Sequence, residues 1–146
     1  MNNLSNRLSQ ISSGYLAGRN EVQIKLPHTF TQRFSINKSN SKYISILEVL
    51  RAEGYIRGFF ISKVRKDNHD IRSATVYLKY DARGKPAVRR IFRVKKSGNV
   101  ANLNTRSLWQ PLSTAGCFVI STPRGILTDR DARFNNVGGT ILFGVY

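Results

Sequence analysis

Cysteine, histidine and acid are all scarce in this chain. A single cysteine, Cys117, leaves no partner for an internal disulfide and excludes a zinc site built on several thiolates. It stands in an apolar run and reads as a small buried hydrophobe in a reducing compartment. The two histidines, His28 and His69, fall in separate polar stretches. With eight Asp and Glu scattered along 146 residues, they assemble neither a metal site nor a triad around a serine. No nucleophile elbow surrounds Ser121, the one serine worth testing for it. No apolar run approaches the roughly 20 residues that span a bilayer. Binding at a membrane surface wants a basic amphipathic helix, whereas the basic residues here lie mainly on expected strands and loops. The first residues lack a signal-peptide core, and Arg7 is the only cation before Arg19, a poor transit peptide. No catalytic residue, metal ligand, cofactor or small-molecule substrate is expected.

What the chain has in excess is positive charge. Against those eight acids stand 24 Lys and Arg, a formal charge of +16. Self-repulsion of that size destabilises a compact chain unless a polyanion neutralises it, so nucleic acid is the expected partner. Residues 82–128 hold nine cations and no acid, the electrostatic footprint of the molecule. With 40 % hydrophobic residues the chain still buries a core, as one domain or two small ones.

Leu4, Leu8, Ile11 and Tyr15 recur at helical spacing, which predicts an amphipathic helix over residues 3–17. Residues 22–26 alternate like a short strand ended by Pro27. Residues 28–40 are polar, carry Arg33 and Lys38, and read as a surface loop. Ser41 is placed to cap a second helix with Tyr43, Ile46, Leu47 and Leu50 on one face, and Gly54 to end it. Strands follow at about 57–65 and 72–80. On the second, Ala74, Val76, Leu78 and Tyr80 share one face, and Thr75, Tyr77 and Lys79 the other. Helix, strand, helix, strand, strand makes a small α/β sandwich. The turn at residues 81–84 separates an N-terminal domain, 1–82, from a β-rich C-terminal domain, 83–146. The fold class is α+β.

The second domain opens on an expected strand over residues 86–94, where Arg89, Arg90 and Arg93 sit among apolar residues, with Lys95 and Lys96 just beyond. A helical turn at 104–111 carries Trp109, read as core rather than as a base-stacking ring. Residues 116–133 are the most informative stretch: G-C-F-V-I-S-T-P-R-G-I-L-T-D-R-D-A-R. A buried strand ends in Ser121 and Thr122, and Pro123, Arg124 and Gly125 form a tip. Thr128, with Asp131 three residues on, starts a short helix over about 129–135. Hydroxyls, an arginine and a helix start are expected to converge there, a surface suited to phosphates and ribose. A closing strand, 140–146, follows Gly138 and Gly139, with Ile141, Phe143 and Val145 inward.

The order of Gly116, Val119, Ile120, Ser121, Thr122, Gly125, Ile126, Leu127, Ala132 and Arg133 resembles the signature of the eighth small-subunit ribosomal protein family. All ten specified positions fit within 18 residues. Glu53 to Ile56 and the glycine pair before the last strand are similar to the family as well. The resemblance implies a structural ribosomal protein that binds small-subunit rRNA of the central domain and sits among neighbouring small-subunit proteins. It implies RNA contacts from Ser121, Thr122, Arg124 and Gly125, with Arg89, Arg90, Arg93, Lys95, Lys96, Arg130 and Arg133 as the basic supplement. The chain departs from the family at Pro123, where a third hydroxyl is usual, and at Gln10 and Ser12, where arginines are. It departs again in the turn of Lys96-Ser97-Gly98-Asn99, at Thr140 in place of Glu, and by the insertion at 28–40. A free RNA-binding translational regulator or RNA chaperone is the alternative. Abundant Asn, Ser, Ile and Tyr with the insertion point to an organelle, the mitochondrion before the plastid, with a bacterial cytoplasm as the remaining option.

Overall fold

The computed structural model describes residues 3–26, 38–66, 69–93, 95–96, 99–100, 102–104, 106 and 116–146. The chain divides into two compact units, Met1–Ala87 and Val88–Tyr146. In the first, α1 (Asn3–Leu16), β1 (Glu21–Lys25), α2 (Lys38–Ala52), β2 (Ile56–Lys66) and β3 (His69–Leu78) follow in the expected order. The strands form an antiparallel sheet in the order β1-β3-β2. Its covered face buries Val22 and Ile24, Ile56, and Ala74, Val76 and Leu78. Against these pack Leu8, Ile11 and Tyr15 of α1 and Ile46, Leu47 and Leu50 of α2. The apolar spacings read from the sequence are therefore the core.

Two expectations change at α2. The helix begins at Lys38, so Ser41 lies inside it rather than capping it, and residues 38–40 are helix rather than loop. No Gly or Pro interrupts residues 38–52, and Ser, Asn and Lys in a first turn lower helix stability only by tenths of a kcal/mol each. The remainder of the expected loop lies outside the described residues. The C-terminus is as read: Gly54 adopts φ +77°, and the N–H groups of Gly54 and Tyr55 donate to Arg51 O (3.0 Å) and Leu50 O (2.9 Å).

Residues 79–87 fold back on the end of β3 and stay with the first unit. Asp81 Oδ1 accepts from the N–H groups of Arg83 (2.9 Å) and Lys85 (2.7 Å), and Tyr80 bridges to Pro86. Ala87 N–H then donates to Lys79 O at 2.9 Å. The strand expected over 86–94 is thus broken. Its start pairs with residue 79, and beyond it Arg89 and Arg90 both donate their N–H to Tyr146 O (2.7 and 2.9 Å). One carbonyl cannot extend a ladder through two successive residues, so only β4 (Ile91–Phe92) is strand.

The second unit continues with β5 (Lys95–Lys96), β6 (Asn99–Val100), β7 (Asn102–Leu103), β8 (Cys117–Thr122), β9 (Gly125–Thr128), α3 (Asp129–Phe134) and β10 (Gly139–Val145). The main sheet runs β4-β10-β8-β9, with β7 also on β10, while β5 and β6 pair separately. Phe118, Ile120 and Ile141 pack with Ala132 of α3, and Phe92, Leu127 and Val137 close around them. The Phe92 and Phe118 rings meet edge to face at 5.8 Å. Ile141, Phe143 and Val145 are buried as their alternation predicts. The expected helical turn with Trp109 lies outside the described residues.

One buried hydroxyl ties the first unit together. Tyr15 Oη donates to Tyr55 O (2.6 Å) and accepts the N–H of Lys79 (3.3 Å), joining α1 to the segments after α2 and β3. Burial raises its pKa above the usual value near 10, because the phenolate is the form that loses hydration. A raised folded pKa gives stability that is whole below pH 10 and is lost as pH rises through the folded value. Tyr15→Phe should cost about 1–2 kcal/mol at neutral pH, by unpairing Tyr55 O and Lys79 N–H. Denaturant melts at pH 8 and pH 11 check it, since the wild-type advantage should shrink at the higher pH.

Candidate nucleic-acid interface

The candidate tip is a β-hairpin. β8 extends through Thr122, and β9 returns from Gly125, with Ser121 opposite Ile126 and Thr122 opposite Gly125. The strand thus ends in Ser121 and Thr122 as expected, but the expectation of a tip that leads directly into a helix is corrected, because the return strand Gly125–Thr128 intervenes. Pro123 fixes the φ of the first central turn position, and Gly125 has φ +121°, a region closed to most side chains. A breaker triplet thus closes a two-residue turn and leaves the chain free to pair again.

Thr122 Oγ1 donates to Gly125 O (2.8 Å) and accepts the N–H of Arg124 (3.2 Å). Its hydroxyl therefore shapes its own turn. Ser121 is half-buried, and among the described residues its hydroxyl has no partner. Arg124 is exposed at the apex. The closing strand supports this end closely: Thr140 pairs with Ser121. A Cβ at Gly139 would collide with Ser121 O, so only glycine lets β10 run this near. Thr140 is a residue that sequence reasoning missed as a site candidate. The signal was its place after the glycine pair, which becomes meaningful only with the strand register.

The helix start does not converge on the tip. Thr128 lies at the far end of β9, about 10 Å along the strand from Gly125. It is buried, and Thr128 Oγ1 accepts the N–H of Asp131 at 3.1 Å, the cap that the sequence predicts. Asp129 Oδ1 accepts the N–H of Phe118 (3.2 Å), and its other oxygen pairs with Arg133 Nη2 at 2.9 Å. Arg133 Nε also donates to Asp129 O at 3.2 Å. Arg133 is thereby held against its own helix, while Arg130 is exposed. The helix ends at Phe134 with Asn135 as its cap, and Asn136 follows at φ +51°, with the N–H of Val137 on Ala132 O at 3.0 Å.

Nor does the sheet gather every expected cation at the hairpin. Arg89 and Arg90 are exposed beside the Val145–Tyr146 end of β10 and Arg93 just past Phe92, which pairs with Gly144, whereas Ser121 lies beside Thr140 at the other end. Five strand residues separate the two positions, about 17 Å. Lys95 and Lys96 form β5, and Ser97 and Gly98 of their turn lie outside the described residues. The interface on offer is thus a hydroxyl-and-arginine hairpin at one end of the sheet and an arginine cluster at the other. Among the described residues no group of three His, Cys, Asp or Glu comes together to hold a metal ion. No helix among them is long and apolar enough to cross a membrane.

An antiparallel sheet with a short helix on one face, a Ser-Thr hairpin and a closing strand that begins at Gly139 make the second unit a small α+β domain. The match to known proteins is specific. The family model described as Ribosomal protein S8 matches residues 2–146, and the chain belongs to that family. The small ribosomal subunit protein uS8 of Gluconobacter oxydans is 40 % identical over 102 residues, covering 70 % of this chain and 74 % of the relative. Those of Rhodospirillum centenum and Brucella melitensis biotype 1 are each 38 % identical, over 102 and 101 residues, with 74 % of each relative covered.

The bonds at α3 separate structure from binding. Asp129→Ala should destabilise the chain by about 1–3 kcal/mol, since it leaves the Phe118 N–H without its acceptor as well as releasing Arg133. Arg133→Ala breaks a partly buried ion pair and the bond to the Asp129 carbonyl within one helix, and should cost less, about 1 kcal/mol. Thermal unfolding of both variants checks the order. Equal losses would mean that the ion pair, not the strand N–H, is what Asp129 serves.

Proposed function

We propose that this protein is a structural constituent of the small ribosomal subunit that binds rRNA of the central domain and stabilises its fold. The observation that carries the reading is the match of nearly the whole chain to ribosomal protein S8, together with relatives named small ribosomal subunit proteins. Its action is binding, with no bond made or broken. RNA double helices present a wide, shallow minor groove lined with 2′-hydroxyls, read by shape and by hydroxyl and phosphate contacts. The hairpin suits that groove. Ser121 offers a hydroxyl that donates and accepts, Thr122 and Gly125 hold the turn narrow, and Arg124 at the apex meets a phosphate. Arg89, Arg90 and Arg93, with Lys95, Lys96 and Arg130, extend the positive field away from the hairpin and neutralise backbone on either side. Neighbouring small-subunit proteins are its other partners.

The ribosome in question is mitochondrial on this reading. It is supported by the Asn-, Ser- and Ile-rich composition and by the polar stretch at residues 28–40. The protein should co-sediment with mitochondrial small subunits after gentle lysis. A protein found only in the soluble fraction would instead be a free regulator.

Ser121→Ala should lower affinity for the cognate rRNA by about 1 kcal/mol while leaving affinity for unrelated duplexes unchanged, because it removes a hydroxyl contact. Arg124→Ala should weaken all RNAs alike and reduce the slope of log K against log salt by about one unit. Filter binding across a salt series measures both.

A further inference from the structure

The tip leaves one exposed surface of the first unit unused: the open face of the β1-β3-β2 sheet. Side chains alternate along each strand, so cross-strand partners share a face. Gln23, Thr75 and Phe60 form one row across it, and Glu21, Tyr77 and Gly58 the next. Lys25, Ser73 and Ser62 make a third. The helices α1 and α2 lie on the opposite face, against Val76 and its neighbours.

Two rings stand on this open face, where a strand residue is ordinarily polar. Phe60 is 62 % exposed and Tyr77 40 %. They are diagonal neighbours on adjacent strands, a separation of about 7–8 Å at the backbone. Gly58, directly opposite Tyr77, puts no side chain between them, and nothing lies within 4 Å of where its Cβ would be. Both rings therefore offer a flank as well as an edge. Around them are hydrogen-bonding groups, Thr75, Gln23 and the Ser62–Ser73 hydroxyl pair at 2.7 Å. Lys25 is exposed at the border of the face, with Glu21 its one acid among the described residues.

We propose that this face is a stacking platform for unpaired nucleotides of an RNA strand. Bases stack on exposed aromatics of an open sheet whatever their identity, and hydroxyl, amide and ammonium groups beside the rings meet base edges and phosphates. A protein partner is less well served. Two rings set among polar and cationic groups fall short of the contiguous apolar area that a protein interface core requires. The net charge of +16 favours a polyanion in the same sense. The platform takes single-stranded RNA and is independent of the duplex-reading hairpin, so each stands or falls separately.

The test uses the full chain and a fluorescent oligouridylate too short to form structure, read by anisotropy. Phe60→Ala and Tyr77→Ala should each weaken its binding at least about fivefold, the lower end for losing one base–aromatic stack. Tyr77→Phe should keep wild-type affinity, since it retains the ring. Circular dichroism of each variant verifies the fold. An unlabelled rRNA hairpin recognised by the tip should not displace the oligouridylate at equal ionic strength. Unchanged affinity in both alanine variants would overturn the proposal, as would full displacement by the rRNA hairpin. It is equally overturned if the wild type fails to bind oligouridylate while Phe60→Ala loses its place in small subunits, which would assign the face to a protein neighbour.

Discussion

The second unit is assembled on one strand. β10 takes β8 along one side, and β4 and β7 along parts of the other, and the carbonyl of Tyr146 just beyond it receives two N–H groups from Arg89 and Arg90. The hairpin of β8 and β9 by itself is a two-stranded ribbon, marginal in water. Its rigidity comes from β10 behind it, and the close approach at Gly139 sets how near that support lies to Ser121. The arginine cluster depends on the same strand at its opposite end. Hydroxyls and cations are thus held at a fixed separation by a single element.

The two units solve different problems with similar means. In the first, helices cover one sheet face and a phenol, Tyr15, satisfies a carbonyl and an N–H that come from distant segments. In the second, the helix is short, and an acid, Asp129, joins it to the first residues of β8. A buried polar group with every bond made fixes one arrangement, because any displacement leaves a donor or acceptor unpaired. Arg7 ties α1 to β1 less completely, since its buried Nη1 has no hydrogen-bond partner among the described residues. Its Nε donates to Lys25 O at 2.8 Å while its guanidinium lies 4.4 Å over the Tyr43 ring.

Much of this was legible in the sequence. Leu8, Ile11 and Tyr15, Val22 and Ile24, and Ile141, Phe143 and Val145 declared their buried faces by period alone. Gly54 and the pair Thr128 and Asp131 declared the ends of helices by local chemistry. What was not legible depends on partners far along the chain. The strand over residues 86–94 had the right composition, but its N–H groups are claimed by Lys79 and Tyr146. The β9 strand has four residues, too few for alternation to register, so its pairing with β8 was hidden behind the Pro123–Gly125 breakers. The distance between Ser121 and Arg89 follows from register, which no local pattern encodes. Thr140 went unnoticed as a neighbour of Ser121 for the same reason.

The scarcity of acid acquires a meaning from where the acids are. From residue 88 onward Asp129 and Asp131 are the only two, both in the first turn of α3. Asp129 is occupied by the Phe118 N–H and Arg133, and Asp81 in the first unit by two backbone N–H groups, while Asp131 is exposed. The bound carboxylates build the fold, and so few acids leave the surrounding field almost uncompensated. Added salt should therefore pull in opposite directions on this molecule. It screens the self-repulsion of the free chain, and so favours folding, while the same ions compete for the phosphates that the folded chain is shaped to hold.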